Sequence, residues 1–482
     1  MRFISHIIQR KYSIALLLLL ALAFCMISYI ALMRHWSISS YHFDLGNMHQ
    51  AVYNTSQGRF LEVTDPNRFH QSNRLAYHFD PILAAMAPLY WVYPGAEVLI
   101  IVQALALVLA AVPIYLIAVL VLKKRIYGLA FALLYLMYYP MHFTALADFH
   151  AVTVSTLFLL WMFYFGEIRK FTLSALFIVL IWTTKENAAL VTAFFGLYHL
   201  VIKKNRSFGI SVFSASIVAF GIIMKMIIPS FRTIGEHFAG GYYSTDIVEN
   251  LRRLFRIETG RYIQSLLNPL LWTSLLSPIH LLIAFPEWMI NILSRNGNMR
   301  VLNYHYTALL TPFLMISSIY GLNNAKKWVK SLKNAHFQKL FIPVTVEILV
   351  CVAVLICFIK SPLFSSEYHI NSARRETIAY WQNQLHDDMI PVSATGHLSP
   401  YFSGRKYFYN FLYDFAYGAQ GYTSEDIKAL AHHYRKAEYV LIQKSEVTTQ
   451  DMVKYYYHEL QADPLYQKIF DENDIEVYKR KM

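Results

Sequence analysis

Charged residues are scarce in this sequence. Asp, Glu, Lys and Arg make up only 15% of its 482 residues, whereas a soluble chain averages roughly 25%. Long apolar runs take their place, and each is near or above the ~18 residues that mark a membrane helix. The runs without a charged side chain are Ser13–Met33, Val98–Leu122, Ile126–Ala147 and Phe149–Gly166. This composition excludes an ordinary soluble protein and predicts a mainly α-helical, polytopic membrane protein.

Cysteine is also rare, and Cys25, Cys351 and Cys357 all fall within apolar runs. A disulfide framework and a cysteine-based structural zinc site are therefore excluded. The sequence contains no glycine-rich phosphate loop, internal repeat or low-complexity tract. Its net charge of +13 comes from short basic clusters beside apolar runs, which are typical of topology signals and not of a nucleic-acid surface. We expect no nucleic-acid partner.

Basic residues predict the topology. Arg2, Arg10 and Lys11 place the N-terminus in the cytoplasm, and the first apolar run exceeds the ~7–15 residues of a cleavable signal core. Later basic clusters then fall on the same side. The predicted fold is a membrane bundle of about eleven spans over residues 1–360, followed by a small extracytoplasmic α/β domain over residues 361–482. We expect it in the plasma membrane, with an outer loop over residues 34–95.

The segment Tyr262–Ser294 decides the number of spans. It contains Glu287 and three prolines, and it is long for one span and short for two. The positive-inside bias favours two short or broken helices that turn near Ser277 and Pro278. If the segment crosses once, the total is about ten and the C-terminal domain is cytoplasmic.

The last part of the chain alternates helical and strand patterns. Strands are predicted at Ile390–Ala394, Lys406–Phe411, Tyr439–Ile442 and Glu476–Lys479. Helices are predicted at Asn371–His386, Ser424–Arg435 and Thr448–Leu460. Before the bundle ends, a surface helix is predicted at Asp246–Phe255, in an outer loop.

The stretch Tyr41–Gln50 follows the first apolar run and places Asp44 just beyond the end of a membrane helix. Leu45, Met48 and Val52 form one apolar stripe at helical spacing, which suits a helix lying in the headgroup plane. We expect Asp44 to face a site at the outer membrane surface. The alternative is that Asp44 only caps the helix that follows it.

Acids, histidines and a few cations collect at the predicted outer rim, and charged groups at membrane depth are often functional. Each has a structural alternative: Asp80 before Pro81 could cap a helix, Glu186 could form a capping box, and Lys185 could reach the headgroups. The outer-rim residues are Asp44, His78, Asp80, Asp148, His150, Lys185, Glu186, Arg295, Arg300 and His305.

Transfer of a sugar from a lipid phosphate would use such a set. A carboxylate takes the acceptor proton, and cations hold the departing phosphate at headgroup level. Asp44 fits the base, with a pKa raised by partial burial near lipid. Lys185, His305 and Arg300 fit the phosphate site. Asp148 and His150 could instead join Asp44 around a divalent metal, although no spacing demands one.

The sequence resembles the DUF2079 family of bacterial and archaeal membrane proteins in the order and spacing of several short motifs. They are Phe43-Asp-Leu-Gly46, His78-Phe-Asp-Pro-Ile82, Ala87-Pro-Leu-Tyr90, Asp148-Phe-His150, Lys185-Glu186, His305-Tyr306, Ile390-Pro-Val-Ser-Ala394 and Leu398-Ser-Pro400. That family is similar to the GT-C superfamily of polytopic glycosyltransferases, which take sugars from polyprenyl-phosphate carriers. The resemblance implies that Asp44 matches their catalytic acid in the first outer loop. Many GT-C enzymes have paired acids there, and Leu45 and Gly46 leave any second acid to Asp80 or Asp148.

The sequence therefore predicts a glycosyltransferase that uses a polyprenyl-phosphate-linked sugar and an unknown acceptor at the outer membrane face. The predicted catalytic residues are Asp44, Asp148 and Asp80; the predicted substrate-binding residues are His78, His150, Lys185, Glu186, Arg300 and His305. A transporter or flippase of lipid-linked or polar solutes is the alternative, because broken helices and buried charges are typical of transporters. A non-catalytic membrane scaffold is the third hypothesis.

Overall fold

The computed structural model describes residues 2–65, 70–232, 242–331, 335–411, 433–448 and 451–481. These residues are mainly helical, as predicted. The longer helices of the first 360 residues are Arg2–Trp36, Asn47–Ser56, Ile82–Tyr90, Glu97–Leu109, Ala111–Leu122, Arg125–Leu136, Tyr139–Leu146, Ala151–Glu167, Phe171–Trp182, Ala188–Val201, Arg206–Ile222, Ile247–Leu254, Ile257–Leu267, Phe285–Leu293, Thr311–Val329 and Ala335–Lys360. The surface helix predicted at Asp246–Phe255 is present, and the Asp246 side chain caps it by accepting from the Val248 N–H.

Several helices can cross a membrane. In the described part of the chain, those long and apolar enough are Arg10–Trp36, Glu97–Leu122, Arg206–Phe231 and Gln338–Lys360. Arg125–Leu136 and Tyr139–Leu146 form a fifth candidate, bent by 49°. The other apolar helices are shorter: Ala151–Glu167, with 17 residues, is about 26 Å long, slightly less than the ~30 Å hydrocarbon core. The number of about eleven spans therefore stays a prediction.

The segment Tyr262–Ser294 is broken, as predicted. The helix Ile257–Leu267 ends before Leu271 and Trp272, whose φ angles of 46° and 59° lie in the left-handed region. A second helical stretch, Pro278–Leu293, follows. The Thr273 hydroxyl bonds Ser318 at 2.6 Å and so ties the break to the helix Thr311–Val329. The two-crossing path itself stays a prediction.

The C-terminal part forms a five-stranded sheet. Its strand order is Phe408–Asn410, Val392–Ala394, Tyr439–Gln443, Ile475–Arg480 and Tyr466–Glu472. The first three strands are parallel, and the last two pair antiparallel. The helices Ser372–Gln384 and Asp451–Ala462 lie where the sequence predicts them. The helix predicted at Ser424–Arg435 lies almost wholly outside the described residues.

The helix Asn47–Ser56, called the loop helix below, differs from the prediction. Leu45, Met48 and Val52 are buried as expected, but Gln50 and Asn54 on the other face are buried too. The reason is that the C-terminal part covers that polar face: the Gln50 amide donates to the carbonyl oxygens of residues 405 and 406, each at 3.2 Å. The loop helix is therefore enclosed in protein on both faces, and its position in the headgroup plane stays a prediction.

Candidate active site

Asp44 lies in a π-helical turn, His42–Gly46, directly before the loop helix. Its carboxylate Oδ1 lies 3.1 Å from Nε2 of His150, and its side chain is 33% exposed. The loop helix has Gly46 at its N-cap position and no side-chain cap. The capping alternative for Asp44 is therefore wrong, because His150 and not the helix N-terminus receives the carboxylate.

Asp148 holds the backbone that leads into this turn. Its Oδ2 accepts the Tyr41 N–H at 2.7 Å, and its Oδ1 accepts a hydrogen bond from Arg34 at the end of the first helix. Both carboxylate oxygens are thus engaged by the segment that carries Asp44. Asp148 therefore positions the segment that carries Asp44.

His150 and His305 connect Asp44 to the region of Lys185. The two rings stack with centroids 3.4 Å apart. Both nitrogens of His150 lie near oxygen atoms, since Nε2 faces Asp44 and Nδ1 lies 3.3 Å from the Asp148 carbonyl. Burial lowers the pKa of His305 well below its ordinary value, and the charges of His150 and Lys185 lower it further. His305 is therefore neutral.

Two side chains near Asp44, His305 and Lys185, have groups that can bind a ligand. In the described part of the chain, Nδ1 of His305 is buried and has no hydrogen-bond partner, and such atoms are rarely left unpaired in proteins. The Lys185 ammonium lies 5.7 Å above the Tyr306 ring, and no carboxylate among the described residues forms a salt bridge with it.

Asp80 pairs with Arg74, a residue that the sequence reasoning missed. Arg74 Nη2 lies 2.8 Å from Asp80 Oδ2, and Nη1 donates to Asn47 Oδ1 at 2.8 Å. The helix Ile82–Tyr90 has no side-chain cap, so the capping alternative for Asp80 is wrong. The pair links the outer loop to the start of the loop helix and lies beside Asp44.

Glu186 contacts the His78 side chain and the backbone that follows it. Its Oε1 lies 3.0 Å from Nδ1 of His78, and its Oε2 accepts the Phe79 N–H at 3.1 Å. Glu186 therefore holds His78, which lies close enough to Lys185 and His305 for their charges to interact. The following helix has no side-chain cap. Burial would raise the pKa of Glu186, but His78 and Lys185 outweigh it and hold the pKa below its ordinary value.

Arg300 lies away from this cluster. Its Nη1 donates to the carbonyl oxygens of Asn291 and Ser294, at 3.3 and 2.5 Å, at the end of the helix Phe285–Leu293. These contacts give no support to the prediction that Arg300 holds phosphate, because Nη1 satisfies carbonyl oxygens at the helix end. Arg295 pairs with Glu249 on the surface.

The pKa of Asp44 differs in direction from the prediction. Burial does raise it, but the charge and hydrogen bond of His150, with the charges of Arg74 and Arg34, outweigh burial and lower the pKa below its ordinary value. The sequence reasoning counted the desolvation and missed these partners. Asp44 is therefore held as a carboxylate at neutral pH.

A signal for one missed partner was present in the sequence. Arg34 lies at the predicted outer end of the first span, against the positive-inside bias, so it needed a partner such as Asp148. A divalent metal stays a prediction: over the described ranges, no three His, Cys, Asp or Glu side chains converge as a metal site.

A family profile described as "Predicted membrane protein (DUF2079)" matches residues 34–477. The chain belongs to the DUF2079 family. The resemblance seen in its short motifs is thereby confirmed. No curated protein matches this DUF2079 chain.

The DUF2079 chain is also similar to a solved structure, the crystal structure of ArnT from Cupriavidus metallidurans bound to undecaprenyl phosphate. The TM-score is 0.56 at 13% sequence identity, and the match covers 95% of this chain and 97% of the ArnT chain. At this identity the likeness shows the fold.

Proposed function

We propose that this DUF2079 protein is a glycosyltransferase that moves a sugar from a polyprenyl-phosphate donor to an acceptor at the outer membrane face. The observation that carries the proposal is the continuous group formed by Asp44, His150 and His305, with Lys185 beside it. It joins a partly exposed carboxylate to groups that can hold a phosphate. The shared fold with a protein bound to undecaprenyl phosphate supports the same donor class.

Asp44 is the general base of this proposal. One carboxylate oxygen is held by His150, which leaves the other to receive the proton of the acceptor hydroxyl. Because the pKa of Asp44 is lowered, the carboxylate is ready at neutral pH, at some cost in basicity. Replacing Asp44 by Asn tests this assignment.

The departing phosphate is assigned to Lys185, His305 and His78. Lys185 supplies the positive charge, and a neutral imidazole can still donate one N–H to a phosphate oxygen. Arg74 and Arg34 are committed to buried carboxylates. They position the site and are not assigned to substrate. We assign residues 361–482 and the loop over 34–95 to the same outer face.

The acid limb of the pH–rate profile tests the pairing of Asp44 with His150. In a His150→Gln variant the lowering charge is gone while burial remains, so the pKa of Asp44 rises. We expect the acid limb of kcat/KM, followed as release of polyprenyl phosphate, to move to higher pH. An acid limb at the same pH in both proteins would show that another group controls it.

Lys185→Met tests the phosphate site. Loss of a charge-assisted hydrogen bond costs about 1.5–3 kcal/mol, so we expect the Kd for undecaprenyl phosphate to rise roughly ten- to a hundredfold. Lys360→Met is the matched control, because Lys360 is an exposed cation at the end of the last long helix and outside the cluster. Equal losses of affinity in both variants would show that Lys185 contributes only a general attraction for an anionic lipid.

A transporter remains the second candidate function, favoured by one observation. Glu287 is buried in the broken segment and accepts a hydrogen bond from Asn187 Nδ2 at 2.7 Å, and broken helices with buried polar groups are typical of transporters. Solute flux in proteoliposomes without any donor sugar would favour this function over the transferase.

A further inference from the structure

A separate cavity of about 330 Å³ lies where the first helix, the loop helix, residues 93–97 and the C-terminal part meet. We call it the junction cavity. None of the predicted site residues lines it. His35 and Trp36 do line it, and they directly follow Arg34, the partner of Asp148. The junction cavity therefore lies next to the Asp44 cluster without being part of it.

The side of the cavity formed by Glu97 offers hydrogen-bonding groups. Glu97 Oε1 accepts the Trp36 indole N–H at 3.3 Å and lies 3.9 Å from Nε2 of His35. Its side chain is 18% exposed. A carboxylate has about four acceptor positions, so Glu97 keeps capacity for ligand hydroxyls. Gln382 and His386 add exposed polar groups to the lining.

The charged residues that line the junction cavity include Arg375, Arg405 and Glu97. Arg405 spends its donors on the carbonyl oxygens of Phe402, Ile390 and Leu385, at 2.6, 3.0 and 3.0 Å. Arg375 lies over the Trp36 ring, 4.9 Å from its centroid. Arg405 keeps its positive charge, but its donors are used by these carbonyl oxygens, and the Glu97 carboxylate would repel an anion. The lining therefore favours a neutral ligand over a phosphate.

Aromatic rings give the cavity flat faces. Tyr53 and Tyr93 line it and are partly exposed, and Tyr401 stacks against His35 with centroids 4.6 Å apart. Aromatic faces carry partial negative charge and attract polarised C–H groups. A sugar ring combines such a C–H face with hydroxyls at its edge. The volume is near the lower end of the ~300–1,000 Å³ typical of ligand sites, so one or two sugar units fit.

We propose that the junction cavity binds a neutral saccharide, and that this saccharide is the acceptor of the proposed transferase. The acceptor role rests on the proposed function, whereas saccharide binding does not. The cavity's place beside the Asp44 cluster would let a bound acceptor extend one hydroxyl toward the general base.

Saturation-transfer NMR on the full-length protein in nanodiscs tests the proposal. The probes are methyl glucoside, methyl galactoside, methyl mannoside and N-acetylglucosamine, with glucosamine and inorganic phosphate as charged comparisons. Ala379→Trp fills the cavity from the exposed side of the helix Ser372–Gln384. Gln384→Trp is its matched control, since Gln384 is exposed, does not line the cavity and lies about 140° around the same helix.

We expect at least one neutral sugar to bind, with a Kd about tenfold or more higher in Ala379→Trp and unchanged in Gln384→Trp. Glu97→Gln keeps the shape of the side chain and should also raise the Kd. It provides the test if Ala379→Trp does not fold. Absence of neutral-sugar binding, or binding unchanged in both cavity variants, would overturn the proposal. Asp44→Asn should bind sugar normally, so a failure of the transferase assignment is distinguishable.

Discussion

Replacing Asp44 by Asn is expected to reduce sugar transfer by about 10²–10⁴-fold, the usual contribution of a general base. Asn keeps the size of the side chain and can still contact His150, but it cannot take the acceptor proton. Because the Asp44 side chain is one-third exposed, the variant should fold. The measurement is release of polyprenyl phosphate from the donor, which reports transfer whatever the sugar or acceptor.

Asp471→Asn is the control for this experiment, because Asp471 forms exposed ion pairs with Lys444 and Lys468 in the C-terminal sheet. It makes the same chemical change far from the cluster and should leave the rate unchanged. Binding of undecaprenyl phosphate to Asp44→Asn should persist. Full activity in Asp44→Asn would mean that another group is the base.

Arg74→Met is expected to destabilise the protein by about 3–5 kcal/mol, the usual cost of leaving one partner of a buried ion pair alone. Arg74 and Asp80 are 6% and 2% exposed. Methionine fills much of the space but leaves the Asp80 carboxylate without its cation and Asn47 without a donor. The measurement is thermal unfolding of the purified protein in nanodiscs, followed by intrinsic fluorescence.

Arg295→Met serves as the comparison, since Arg295 is 45% exposed in its pair with Glu249 and solvent screens such pairs. A double variant, Arg74→Met with Asp80→Leu, should recover part of the loss because the buried charge is gone as well. If Arg74→Met unfolds no earlier than Arg295→Met, the ion pair does not stabilise the outer loop.

Much of the fold follows from sequence patterns. The apolar runs predicted the long helices, and of the five C-terminal strands in the described residues, four lie at predicted positions. The strand Tyr466–Glu472 was missed because it is a largely exposed edge strand without hydrophobic alternation. The turn after this strand did carry a sequence signal, the pair Asn473-Asp474. Both residues have positive φ in the structure, as in a tight hairpin turn.

The sequence predicted which residues belong to the site better than it predicted their contacts. Asp44, His150 and His305 were singled out by residue type and predicted side, but their direct contact joins segments more than 100 residues apart. Arg300 and Asp80 have partners close in sequence, so the reason there is different. Arg300 Nη1 donates to the backbone carbonyls of Asn291 and Ser294, and the Arg74 partner of Asp80 gave no periodic signal.

The enclosure of the loop helix constrains the path of the chain through the membrane. Gln50 bonds residues of the C-terminal part, and Nδ1 of His397 lies 3.0 Å from the Ser40 carbonyl. Segments in contact share one face of the bilayer, so the chain between them must traverse it an even number of times. With the other predicted spans, Tyr262–Ser294 then crosses twice or not at all. A single traversal would separate Ser40 from His397 by the full thickness of the membrane.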